Sequence, residues 1–196
     1  MKFIFYFTFL LLHSKIFCQD IDYAFKLFQE GKYQAAIFEC DKILLVSPSN
    51  DEILYWRGYC KANTGDFYGA ISDLNRAIQL NDFSKYFSIR GFSKEKLGIW
   101  KDAISDYNVY LKEFPNDLNH LDSRALCYLK LHEDKLALND YDRILILDSS
   151  NNSALFWKGF ILLNNRIIDE GCKYLFKAKQ LGYVDQFKTL EKYCPK

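Results

Sequence analysis

Apolar residues recur at three- and four-residue spacing along nearly the whole chain, in paired segments separated by short polar breaks. That spacing places the apolar side chains on one stripe of a helix and the polar ones opposite. It predicts helices over 51–64 and 67–80, 84–97 and 100–113, 118–131 and 134–147, and 152–165 and 168–181. An earlier pair is expected near 20–30 and 33–46, with Ser47-Pro48-Ser49-Asn50 ending it and capping the next helix. One further helix, 184–193, is expected to cover the last pair with Phe187 and Leu190.

The pairs are periodic. Ala24, Gly58, Gly91, Ala125 and Gly159 are 34, 33, 34 and 34 positions apart, and Ala36, Ala70, Ala103, Ala137 and Gly171 keep the same register twelve residues downstream. Where the first helix of a pair (helix A) crosses the second (helix B), the backbones approach closely and only a small residue fits on each side. A bulky side chain there costs about 1–3 kcal/mol. Glycine inside a helix is itself unfavourable by about 1 kcal/mol, so its recurrence needs such a packing cause. Gly31, Gly65 and Gly98 close the A-to-B turns, each followed two residues later by an aromatic, Tyr33, Phe67 or Trp100. A two-helix unit cannot bury its apolar face alone, so five copies imply an all-α solenoid.

The pattern Gly58, Gly65, Phe67, Ala70 and Ala77 resembles the tetratricopeptide repeat, and the resemblance covers roughly residues 19–183. It implies a right-handed α-solenoid of about five helix-turn-helix repeats, 19–50, 51–83, 84–117, 118–151 and 152–183, followed by a capping helix within 184–196. His132 and Arg166 depart from the turn glycine, Gly171 from the alanine, and Tyr110 fills a usually small site, while Pro48 and Pro115 keep the unit-ending proline. The C-terminal run Leu181-Gly182-Tyr183 to Tyr193-Cys194 is similar to the ends of short secreted repeat proteins of Bacteroidetes-type bacteria.

Residues 1–18 stand outside the repeats. Lys2, the apolar run Phe3–Leu12 and the break at His13-Ser14-Lys15 form the pattern of a signal peptide. The run is half the length of roughly twenty residues that a membrane span takes. Cleavage after Cys18 would leave Gln19 first; lipidation of Cys18 is the alternative. The expectation is an exported protein, periplasmic or secreted, that meets a membrane only through this signal.

A formal net charge of +1 over 196 residues leaves no basic stripe for nucleic acid. Five cysteines follow the leader without a CxxC or Cys/His cluster, so neither a metal nor another cofactor is expected. Cys40 and Cys60 flank one helix turn, and Cys172 and Cys194 another. Either pair is a possible disulfide in an oxidising compartment, with small buried hydrophobes the alternative. No nucleophile elbow, phosphate loop or metalloprotease spacing occurs, and the carboxylates are spread over helix faces. An enzyme is not expected. Arg57, Arg90 and Arg124 precede Asp73, Asp106 and Asp140 by sixteen residues, which reads as a structural row of ion pairs rather than an anion site. The row lapses at Tyr23 and Glu39 in the first unit and at Lys158 and Tyr174 in the last.

In tetratricopeptide repeats one face of each helix A lines a concave groove. By resemblance that face here carries Phe25, Tyr55, Tyr59, Phe92, Glu95, Lys96, Leu126, Lys130, Phe156 and Phe160. It is aromatic and apolar, unlike the Lys- and Asn-rich clamp with which some members grip acidic tails. Part of the row is expected to pack between helices. The resulting expectation is a scaffold that holds a protein or peptide in the groove; the alternative is a structural subunit of an envelope or secretion assembly, recognised through its convex face or ends.

Overall fold

The computed structural model describes residues 21–185 and 188–194. The expected signal peptide, with Cys18, and Phe187 of the expected capping helix lie outside them. The described residues form helices α1 (21–29), α2 (Tyr33–Val46), α3 (Asp51–Asn63), α4 (Phe67–Leu80), α5 (Ser84–Lys96), α6 (Trp100–Glu113), α7 (Leu118–Lys130), α8 (Asp134–Leu147), α9 (Asn152–Asn164), α10 (Ile168–Gln180) and α11 (Thr189–Tyr193). No strand occurs among them, and no helix among them is long and apolar enough to cross a membrane.

Side-chain caps fix several starts. Asn50 accepts from Ile53 N, Asp66 from Gly69 N, Asp117 from Asn119 N and His120 N, and Asn151 from Ala154 N. Each such cap is worth about 1 kcal/mol. Gly31, Gly65 and Gly98 leave their helices at positive φ (70°, 87° and 75°), and His132 and Arg166 adopt the same left-handed turn at 59° and 63°. The two non-glycine turns therefore keep the geometry of the others.

The last helix is shorter than its sequence suggests, Thr189–Tyr193 in place of 184–193. Asp185 sets its start, accepting from Thr189 Oγ1 at 3.1 Å and Leu190 N at 3.0 Å, while Lys188 at φ 52° turns the chain into the helix. A left-handed residue cannot sit inside a right-handed helix, so α11 begins only after Lys188.

The chain divides into two compact units at Ile99/Trp100. In the first, α1 to α5 enclose a core that includes Ala24, Ile43, Leu54, Leu74 and Tyr86. At the α3–α4 crossing a Cβ added to Gly58 would stand 3.1 Å from Leu74 Cγ and 3.3 Å from the Ala70 carbonyl. In the second, α6 to α9 enclose a core that includes Ala103, Tyr107, Leu121, Tyr141 and Ile144, and Leu155, Leu175 and Leu190 lie in a further cluster that reaches α11. There Gly159 faces Gly171: a Cβ on either would come within 2.8–2.9 Å of the other's carbonyl oxygen. Gly171, the departure from the alanine column, thus permits a closer crossing.

Candidate partner-binding face

In the first unit the A helices carry a linked set of rings. Phe25 lies 5.1 Å from Trp56, and Phe28 4.4 Å from Trp56 and 4.9 Å from Tyr59. Tyr55 stands 5.2 Å from Trp56 and 5.2 Å from Tyr86, both between ring centres. These are the offset and edge-on separations that aromatic pairs prefer. Phe25 remains 40% exposed, and Tyr55, Tyr59 and Phe92 are half-buried. Each ring is thus held by its neighbours and stays partly exposed to solvent.

Cations sit over the same rings. Lys85 Nζ is 5.0 Å from the centre of Tyr55, and Lys96 Nζ 4.9 Å from that of Phe92, which packs on Phe67 at 6.3 Å. Burial pushes the Tyr55 phenol up to about 12, reinforced by Tyr59, so it stays a neutral donor. Tyr86 donates to Asp51 Oδ2 at 2.6 Å. Sequence reasoning missed Trp56, Phe28 and Tyr86. Phe28, three residues after Phe25 on the same helix face, carried the available signal.

In the second unit Leu126 and Phe160 are half-buried and Lys130 is exposed. Phe156 does not join that surface. It is 1% exposed and stacked at 4.2 Å on Tyr183, which the chain folds back after α10. Phe156 is therefore a core residue, a correction to the groove row inferred from resemblance. The signal that would have found this is Tyr183, the last residue of the fifth repeat.

The charged row holds the helices together. Arg57 forks onto Asp73, Nε to Oδ2 at 2.8 Å and a terminal nitrogen to Oδ1 at 2.5 Å, and its third nitrogen reaches Asp41 at 2.6 Å. Arg124 forks onto Asp140 at 2.9 and 2.6 Å and reaches Asn108 at 2.7 Å. Arg90 donates to Asn75 at 2.7 Å. The bond to Asp73, with that to Asp41, holds the Arg57 guanidinium above its already high value against the cost of burial. A second row escaped the sequence reading. Arg76 and Lys177 donate to the carbonyls of Pro48 and Ser149, and Arg143 to the Asn116 side chain, each 27 or 28 residues upstream.

Cys172 and Cys194 form a disulfide with Cα atoms 5.6 Å apart, within the bondable range. Cys40, Cys60 and Cys127 are buried and take part in no disulfide. The suggested Cys40–Cys60 bond is therefore absent. Cys40 packs with Ile43 and Ile53, whereas Cys60 packs with Leu27 and Ala36 in a different cluster. Across the α2–α3 turn, Arg57 and not Cys60 is the residue equidistant with Cys40. Burial pushes the thiols up to about 12 for Cys40 and about 11 for Cys60, which leaves them protonated and unreactive. Among the described residues no group of three or more His, Cys, Asp or Glu is placed to hold a metal.

A family model for "Anaphase-promoting complex, cyclosome, subunit 3" matches residues 29–108. No curated protein matches the sequence. Among solved structures the chain is similar to MamA at 20% identity and TM-score 0.75, covering 87% of this chain and 97% of that one. A second MamA structure, from Desulfovibrio magneticus RS-1, gives 16% identity and TM-score 0.79 over 84% of this chain and 94% of that one. YrrB, described as a TPR protein with an unusual peptide-binding site, gives 18% identity and TM-score 0.79 over 88% and 89%. At such identities the likeness is one of fold, and the family model and the solved structures agree on it: an all-helical, tetratricopeptide-like repeat.

Proposed function

We propose that this chain is a non-catalytic interaction scaffold that holds a peptide or partner protein against the aromatic face of its A helices. The observation that carries the reading is the linked Phe25–Trp56–Tyr55 row, held through ring-on-ring contact yet still partly exposed to solvent. Rigid aromatics bury large area at low entropic cost and often carry more than about 2 kcal/mol of binding each. That a structural neighbour is described by its peptide-binding site is in keeping with this use of the fold. Export through residues 1–18, in the manner of secreted Bacteroidetes-type repeat proteins, is part of the proposal. The Cys172–Cys194 bond suits an oxidising compartment. N-terminal sequencing of exported protein should begin at Gln19; lipid on Cys18 would indicate the anchored form, and a cytoplasmic chain retaining Met1 would exclude export.

The test is affinity capture from an envelope fraction. Phe25→Ala, which removes the most exposed ring of the row, should lose the partner while the melting temperature holds. Tyr59→Ala with Phe92→Ala should lose it too, with some loss of stability because both rings are half-buried. Capture unchanged in both variants would remove the aromatic face from consideration. The alternative, a structural subunit of an assembly, draws on the outer face of α2, where Phe38, Leu45 and Val46 are 60%, 84% and 72% exposed. It predicts co-purification that survives Phe25→Ala and fails in Phe38→Ser with Leu45→Ser.

A further inference from the structure

Between α1, α2 and α3 lies a pocket of about 240 Å³. Its floor is apolar and closed: Ala24, Cys40 and Ile53 are 4%, 1% and 2% exposed, and the Cys40 thiol is held protonated by burial. Its walls include the edge-on pair Phe25 and Trp56. Two carboxylates, Asp22 and Glu52, complete the lining, and both are exposed. Elsewhere in this unit Asp41 and Asp73 engage Arg57, Glu30 engages Lys32, and Glu39 engages Lys42. Asp22 and Glu52 have no such cation among the described residues.

The size points to one side chain, since pockets for small molecules usually run about 300–1,000 Å³. An apolar floor selects a large apolar side chain. Two uncompensated carboxylates at the same opening select positive charge beside it. We propose that this pocket takes a large apolar side chain of a partner peptide in which the adjacent residue is lysine or arginine. The apolar group packs on Phe25 and Trp56, and the neighbouring cation lies at Asp22 and Glu52. This rests on the reading of the A-helix face as the partner surface and gives that partner a chemical class.

Three fluorescein-labelled peptides test it against the purified full chain at low salt: Gly-Ser-Ser-Lys-Phe-Lys-Ser-Ser-Gly, its Glu-Phe-Glu counterpart and its Lys-Ser-Lys counterpart. The first should bind roughly tenfold tighter than either other, as expected when both an aromatic anchor and paired charges are needed. Asp22→Lys with Glu52→Lys, both at exposed positions, should invert the order of the two charged Phe peptides. Equal binding of all three, or an order that the double variant leaves unchanged, overturns the proposal. So does a photocrosslinker in place of Glu52 that captures residues 1–18, or a second copy of the chain, instead of the peptide. Partner capture that depends on Phe25 without discrimination among the peptides means the pocket assignment alone is wrong. Discrimination among the peptides with no partner captured supports the pocket and removes the broader scaffold reading.

Discussion

Lys158 Nζ lies 4.5 Å from the centre of the Tyr174 ring, and Tyr174 stands sixteen residues downstream, the separation that joins Arg57 to Asp73 and Arg124 to Asp140. Lys158 also reaches Asp142, sixteen residues upstream, at 2.5 Å, as Arg57 reaches Asp41 and Arg124 reaches Asn108. One A-helix cation therefore ties the B helix before it to the B helix after it. In the fifth repeat a cation–π contact replaces the forward ion pair. What reads as a lapse in the charge pattern is a change of chemistry at constant geometry.

The Arg57 and Asp73 side chains are 14% and 3% exposed. Arg57→Ala leaves a buried carboxylate with Lys61 alone and is expected to cost about 3 kcal/mol in urea unfolding. A double-mutant cycle with Asp73→Ala should return a coupling above about 1 kcal/mol. Lys42→Ala, which breaks an exposed pair on α2, should change stability by less than about 0.5 kcal/mol. Additive effects of the two Arg57 and Asp73 changes would count against the ladder.

The two non-glycine turns are open to improvement. A left-handed residue other than glycine costs about 1–2 kcal/mol, and glycine gives back about 0.4–1 through the unfolded chain. His132→Gly and Arg166→Gly, at φ 59° and 63°, should therefore each raise stability by about 0.5–1 kcal/mol. Gly65→Ala, at φ 87°, should lower it. A rise in the denaturation midpoint on Gly65→Ala would refute the strain argument.

Helix bounds were legible because the small-residue columns and the turns repeat. The period places α2, α4, α6 and α8 at their observed limits, and α3, α5, α7, α9 and α10 end one residue sooner, where the closing residue becomes the cap. The candidate face was legible only in part. The resemblance places Tyr55 and Tyr59 on that face, but the burial of Phe156 depends on Tyr183, which follows α10 at the very end of the fifth repeat. The row at Arg76, Arg143 and Lys177 was missed because two of its acceptors are backbone carbonyls, which every residue has. Cys40 and Cys60 flank one turn but are not equidistant from it, since Arg57 stands opposite Cys40, and the two thiols fall in different core clusters.

Tyr141 and Tyr86 are both fully buried but differ in their hydroxyls. Tyr86 donates to Asp51 at 2.6 Å, whereas the Tyr141 hydroxyl has no hydrogen-bond partner among the described residues. Burial first, then the nearby charges of Asp122 and Asp140, push the Tyr141 phenol far above its ordinary value. An unsatisfied buried hydroxyl costs free energy, while a made hydrogen bond contributes about 1 kcal/mol. Tyr141→Phe should leave stability unchanged or raise it by up to about 1 kcal/mol, and Tyr86→Phe should lower it by about that amount. Equal losses at both sites, read by thermal melting, would refute the distinction.

The disulfide fixes the C-terminal end of the second unit. Cys172 on α10 and Cys194, the residue just after α11, are 22 positions apart, and closing a loop of that length is worth about 3 kcal/mol in the chain-entropy model. Helix α11 has only five residues, too few to persist alone, so its place over Leu175 and Ala178 depends on the bond and on Leu190. Alkylation of the denatured, unreduced chain should label Cys40, Cys60 and Cys127 and spare Cys172 and Cys194; labelling of the last two would exclude the bond. Cys172→Ser with Cys194→Ser should lower stability by up to about 3 kcal/mol. Hydrogen exchange should then quicken first in α11 and the adjoining turns of α10, since local opening starts where few contacts remain once the tether is cut. Loss of protection in α3 and α4 at the same rate would mean that the bond acts on the fold as a whole and not as a latch on its last helix.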